Sequence, residues 1–179
     1  PKLEKIKMKH ILSRLINYKT ISSEEAKQIL INISKGNYNQ SQIASFLTVF
    51  MMRSITLDEL KGFRDALLEL CVPVDLSAYN PIDLCGTGGD GKDTFNISTL
   101  SSFITAAAGV PVAKHGNYGV SSACGSSNVL ESLGVTFSND VDFLERAIAS
   151  AGICVLHAPL FHPAMKNIAP IRQLSLIHI

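Results

Sequence analysis

The chain has 179 residues, 46% hydrophobic and 17% charged, with a formal net charge of +1. That composition buries a core and excludes a disordered tail, and a charge so near zero excludes a nucleic-acid binder working through a broad basic field. Four widely spaced cysteines, Cys71, Cys85, Cys124 and Cys154, form no Cys-x-x-Cys pair, so a zinc ribbon and a disulfide frame are excluded in favour of thiols in a reducing cytoplasm.

In chain order, residues up to about Leu70 read as helices. Leu3, Ile6, Ile11, Leu12, Leu15 and Ile16 recur at helical spacing. Three capping boxes follow, Ser22-x-x-Glu25, Asn39-x-x-Gln42 and Thr56-x-x-Glu59. They open the amphipathic runs Ala26–Ile33, Ile43–Met52 and Leu57–Leu70. A proline-bearing linker, Cys71 to Pro81, leads into a different pattern. From Ile82 short apolar strands alternate with helices. The strands are expected at Ile82–Cys85, Val110–Lys114, Val135–Phe137 and Ile153–His157. The helices are expected at Ser98–Ala108, Ser126–Leu133, Asp140–Ala151 and briefly after Pro163. Such alternation implies a parallel sheet with ligand loops at the carboxyl ends of its strands. The fold class is thus α/β: an all-helical domain over 1–72, then a parallel-sheet domain over 73–173. No stretch has the length of a membrane span and the N-terminus lacks a signal-peptide core, so a cytoplasmic protein without membrane partners is expected.

The richest segment is Asp83–Thr99, in which Gly86, Gly88, Gly89 and Gly91 follow a strand end and precede a helix. Glycines let backbone N–H groups approach a ligand, and a helix N-terminus adds a positive dipole end, so this is phosphate-binding chemistry. A dinucleotide fingerprint fits Gly86-x-Gly88-x-x-Gly91, but the window about twenty residues on, Thr105–Pro111, holds no acid for a ribose. A nucleotide P-loop fits Gly86 to Lys92 until Asp93, where a magnesium-binding hydroxyl is required.

Taken whole, Gly86-Thr-Gly-Gly-Asp90 followed by Thr94-Phe-Asn96-Ile97-Ser98-Thr99 resembles the diphosphate-binding signature of the anthranilate phosphoribosyltransferase family and of the related pyrimidine nucleoside phosphorylases. Lys114-His115-Gly116-Asn117 is the transferase form of the next loop. Ser121-Ser122, Gly125-Ser126-Ser127-Asn128 and His162-Pro163-Ala-Met165 with Pro170-Ile-Arg172 continue the resemblance. A phosphorylase and a non-catalytic nucleic-acid-binding relative are the rival readings.

The resemblance implies transfer of the phosphoribosyl group from phosphoribosyl diphosphate to anthranilate in tryptophan biosynthesis, with Mg2+ as cofactor. It implies that Gly86, Gly89, Asp90, Thr94, Asn96, Ile97 and Thr99 hold diphosphate or ribose and that Ser98 ligates magnesium. Lys114, His115, Gly116, Asn117, Ser121, Ser122 and Ser126 complete that site. Gly86, Asn117, His162 and Met165 would line the anthranilate pocket, with Arg172 matching its carboxylate as a bidentate fork. A homodimer through the N-terminal helices is implied as well. Tyr118 and Asn128 depart from the family's usual arginine and aspartate; His10, His157 and His178 have no motif around them. Met8 is a natural start, placing Pro1–Lys7 upstream of it. One codon choice for Leu174–Ile179 resembles a transposase end sequence used in library construction, so 174–179 is expected to be a non-native tail. The resemblance covers the first half of the family's protein, without its magnesium-holding acidic pair, and the chain by itself is expected to be inactive.

Overall fold

The computed structural model describes residues 7–86, 95–119 and 124–171. Two units are distinguished, 1–71 with 162–179 and 72–161.

The first unit is built on four helices, α1 (Met8–Ile16), α2 (Ser23–Ser34), α3 (Gln40–Met52) and α4 (Leu57–Leu70). All three capping boxes close in both directions at Ser22, Asn39 and Thr56, so each helix starts where its own sequence satisfies its first N–H groups. Met8, Ile11, Leu15, Ile29, Ile33 and Phe46 form the core. Phe46, Phe50 and Phe63 pack edge to face, with centroids 5.1–6.0 Å apart. The close pairing of α2 with α4 depends on Gly62, because a Cβ there would lie 2.1 Å from the Ser23 carbonyl oxygen. Glu59 is fully buried and receives Arg53 together with the N–H groups of Ile21 and Thr56. Burial raises its carboxyl, but those donors outweigh it and hold the group below its ordinary value.

Ile168 and Ile171, near the end of the described residues, pack into the helical core. The Asn167 carboxamide donates to the carbonyls of Ile33 and Ser34 at 3.3 and 3.0 Å, closing the end of α2. Apolar burial, not chain order, decides where 162–171 pack.

In the second unit α5 (Ile97–Ala107) leads to β1 (Val112–Gly116), then α6 (Ser126–Ser132), α7 (Val141–Ala151), β2 (Ile153–His157) and the single turn α8 (Ala158–Phe161). β1 and β2 are parallel, in register from Val112 opposite Ile153 to Gly116 opposite His157. On the other side of β1, Ile82 forms an isolated parallel bridge to Val112. Leu76, Ala113, Leu144, Ile148, Cys154 and Phe161 make the core. Burial pushes the Cys154 thiol up to about 11.

The strand expected over Val110–Lys114 is displaced to Val112–Gly116. The Val110 N–H is taken by the Thr105 carbonyl to finish α5, and Pro111 has no N–H to offer. Ile82–Cys85 forms one bridge and not a full strand, and Val135–Phe137 forms none. Val135 instead donates to Leu130 just after Gly134, which turns at φ +83°. Among the described residues no helix is long and apolar enough to cross a membrane.

Candidate functional site

Parallel strands deliver their carboxyl ends to one edge, and that edge carries Leu84–Gly86 and Lys114–Asn117. Lys114 is only 1% exposed although it is a lysine, and its Nζ donates to the Leu84 carbonyl at 3.1 Å. Burial lowers its pKa, while Cys85 and Asp83 act in the opposite direction. The Asp83 carboxylate accepts the His115 backbone N–H at 3.0 Å, tying the end of β1 to the approach to the glycine loop. Burial and Asp83 push the Cys85 thiol up, and Lys114 opposes them.

Two glycines admit neighbours that a side chain would displace. A Cβ on Gly86 would come 3.2 Å from the Ser98 Oγ, so the hydroxyl at the start of α5 faces the entrance of the glycine loop. A Cβ on Gly116 would come 2.5 Å from the Ser126 Oγ, which brings the first residue of α6 against the end of β1. The Asn117 carbonyl accepts from Ser126 Oγ at 3.3 Å and from the Ser127 N–H at 3.1 Å. Asn96 occupies the N-cap position of α5 without capping it; its Oδ1 instead accepts the hydroxyl of buried Thr99 at 2.7 Å. Ile97 is exposed in the first turn.

The described residues Gly86, Ser98, Lys114, His115, Gly116, Asn117 and Ser126 thus lie at one end of the sheet, with Asn96, Ile97 and Thr99 in the adjoining helix start. Gly89, Asp90, Thr94, Ser121, Ser122 and Arg172 lie outside the described residues. His162 and Met165 belong to the first unit, where Met165 packs on the helical core.

Three residues to which the motifs give no role in the site, His157, Asn128 and Tyr118, hold this edge together. His157, buried, has its Nδ1 2.8 Å from the hydroxyl of fully buried Ser127. Its ring stacks on Phe137 at 4.4 Å and meets the edge of Tyr118 at 4.9 Å. Burial lowers the His157 pKa, partly offset by Glu131. Asn128 Oδ1 accepts the N–H groups of both Gly119 and Gly125 at 2.9 Å, fastening the two flanks of the loop. Tyr118 gives its hydroxyl to Glu131 at 2.7 Å, which braces the loop against α6. The one available signal is positional: His157 ends a strand, opposite Gly116.

Comparison with known proteins bears on both units. A family profile for the glycosyl transferase family a/b domain matches residues 78–176, and one for that family's helical bundle domain matches 9–71. The chain belongs to the glycosyl transferase family. Among its members, the anthranilate phosphoribosyltransferase of Flavobacterium psychrophilum is 75% identical over 166 residues, which is 93% of this chain and 50% of the relative. That of Flavobacterium johnsoniae is 74% identical over the same share of each. The chain therefore spans about half the length of these curated relatives. The crystal structure of anthranilate phosphoribosyltransferase from Thermus thermophilus superimposes with a TM-score of 0.80 at 33% identity, over 93% of this chain and 51% of that one. A Saccharomyces cerevisiae enzyme of the same name, in complex with PRPP and Mg, shares the fold with a TM-score of 0.83 at 23% identity, over 98% and 53%.

Proposed function

We propose that this glycosyl transferase segment forms the phosphoribosyl diphosphate-binding part of an anthranilate phosphoribosyltransferase. The observation that carries the reading is Lys114. A lysine is buried at a strand end only where something rewards it, and this one lies beside a glycine loop at the ligand edge of a parallel sheet. The name shared by relatives at 74–75% identity supplies the reaction.

In that reaction the anthranilate amine forms a bond to ribose C1 as the bond from C1 to diphosphate breaks, and the amine loses a proton. Charge grows on the departing diphosphate, so fixed cations and N–H groups matter more than a nucleophilic side chain. Lys114 contributes a point charge to the diphosphate, and the loop from Gly86 through Gly89 and Asp90 contributes backbone donors. Thr94, Asn96, Ile97, Thr99, His115, Gly116, Ser121, Ser122 and Ser126 complete the enclosure of phosphate and ribose. Gly86 and Asn117, at the carboxyl edge of the sheet, take part in holding the anthranilate.

Magnesium fits this site in part. The Ser98 hydroxyl, facing Gly86, is a hard oxygen donor of the kind Mg2+ accepts, and the remaining octahedral positions suit phosphate oxygens and water. When bound, the ion neutralises diphosphate charge.

Calorimetric titration with phosphoribosyl diphosphate and Mg2+ tests the reading. Measurable binding is expected, weakened about 10- to 100-fold in Lys114→Met through loss of a charge-assisted contact. A folded chain that binds no phosphoribosyl diphosphate overturns it. We also propose a cytoplasmic homodimer through the helical unit, supported by exposed Met52, Leu57 and Leu60.

A further inference from the structure

We propose that Asp83, Cys85 and His115 form a binding site for a thiophilic divalent cation of the zinc class. One carboxylate oxygen, the Cys85 Sγ and one imidazole nitrogen all lie within 4.8 Å of one another. Backbone pairing sets this up. Ile82 bridges Val112, and the Ala113 N–H donates to the Ile82 carbonyl at 3.0 Å, so the two segments run side by side. Side chains alternate along extended chain, which turns Asp83, Cys85 and His115 to one face. Lys114 goes to the other face, where its Nζ is held by the Leu84 carbonyl. The bond from the His115 N–H to Asp83 Oδ1 fixes the carboxylate next to the imidazole and leaves its second oxygen for a ligand role.

The donor set decides the class of ion. Thiolate, imidazole and carboxylate together suit zinc and its softer neighbours, while magnesium and calcium prefer oxygen alone. Bond lengths of roughly 2.0–2.3 Å put donor atoms of a tetrahedral site about 3.3–3.8 Å apart. The cluster reaches that by closing about 1 Å, chiefly through rotation of exposed Cys85 about its side-chain bond. Thiolate and carboxylate neutralise a divalent charge, and three protein donors leave a fourth position for water or an anion. Binding pins the Ile82–Gly86 segment to β1. It also engages His115, and a consequent loss of phosphoribosyl diphosphate affinity rests on the reading of the preceding section.

Co2+ and Cd2+ titrations of the reduced chain, followed in the near ultraviolet, test the site. One equivalent is expected to produce a sulfur-to-metal charge-transfer band. The band is expected to persist in Cys124→Ser and to disappear in Cys85→Ser, with His115→Asn and Asp83→Asn weakening it. Circular dichroism establishes that each variant is folded. No band in the wild-type chain, or a band undiminished in Cys85→Ser, overturns the proposal. The optical readout involves no phosphoribosyl ligand, so its failure leaves the transferase reading standing, and the failure of that reading leaves this site standing.

Discussion

Ser127 and His157 do their work by satisfying each other in a place closed to water. Ser127→Ala leaves a buried imidazole nitrogen without its partner, and a loss of about 1–3 kcal/mol in denaturant-unfolding stability is expected. Because burial holds the imidazole pKa below its unfolded value, the neutral ring stabilises the fold fully above about pH 6.5, and that contribution is lost as pH falls. His157→Phe keeps the ring against Phe137 but abandons the hydroxyl, so its stability is expected to lose this acid dependence. Unfolding midpoints measured between about pH 5 and 8 check the sign.

Single residues also show what a sequence does and does not disclose. The motif reading names Lys114 as a phosphate cation from the strand that ends at it. It leaves Asn128 as a mere departure, because its two N–H partners, Gly119 and Gly125, come together only once the loop closes. Tyr118 likewise reads only as a departure from arginine: Glu131, thirteen residues on, is invisible as a partner until α6 forms.

At the scale of elements, local chemistry is legible and pairing is not. The capping boxes at Ser22, Asn39 and Thr56 each lie within four residues and close as their spacing predicts. Val135–Phe137 has strand composition, yet a strand needs a neighbour, and Phe137 spends its ring on His157 instead. The α2–α4 contact carries its own prediction. Gly62→Ala drives a methyl into the Ser23 carbonyl, and because that obstacle is backbone the helices must separate. A cost of about 1–3 kcal/mol is expected, read as a lower unfolding midpoint. The Arg53–Glu59 pair joins the N-terminus of α4 to the end of α3, with side chains 8% and 0% exposed. Arg53→Ala strands a buried carboxylate and is expected to cost about 3–5 kcal/mol near neutral pH. The Glu59 pKa is depressed in the fold, so this contribution is present above about pH 4.3 and lost as pH falls below it, and the gap between wild type and variant should narrow there.

For the whole molecule, the open question is what covers its apolar surface. Met52, Leu57 and Leu60 are exposed on the helical unit, and Leu57 is 80% exposed. Light scattering at rising concentration is expected to show a dimer, and Leu57→Glu with Leu60→Glu is expected to give a monomer of unchanged helicity. A wild-type monomer throughout would remove the dimer proposal. An apolar hollow of about 320 Å3 lies in the other unit, beside Phe95, Leu100, Phe103 and Leu133. It offers few polar groups, and solubility of the isolated chain is expected to fall with added sulfate, which strengthens apolar association.

Asn167, Ile168 and Ile171 close a helical unit whose other members end at Cys71. During synthesis the ribosome must therefore add about 100 more residues before those early helices receive their last pieces. At about 5–20 residues per second that is roughly 5–20 s, in which α2 has an unclosed end and the unit an open flank. Throughout that interval the nascent N-terminal helices expose the apolar surface that Ile168 and Ile171 later cover.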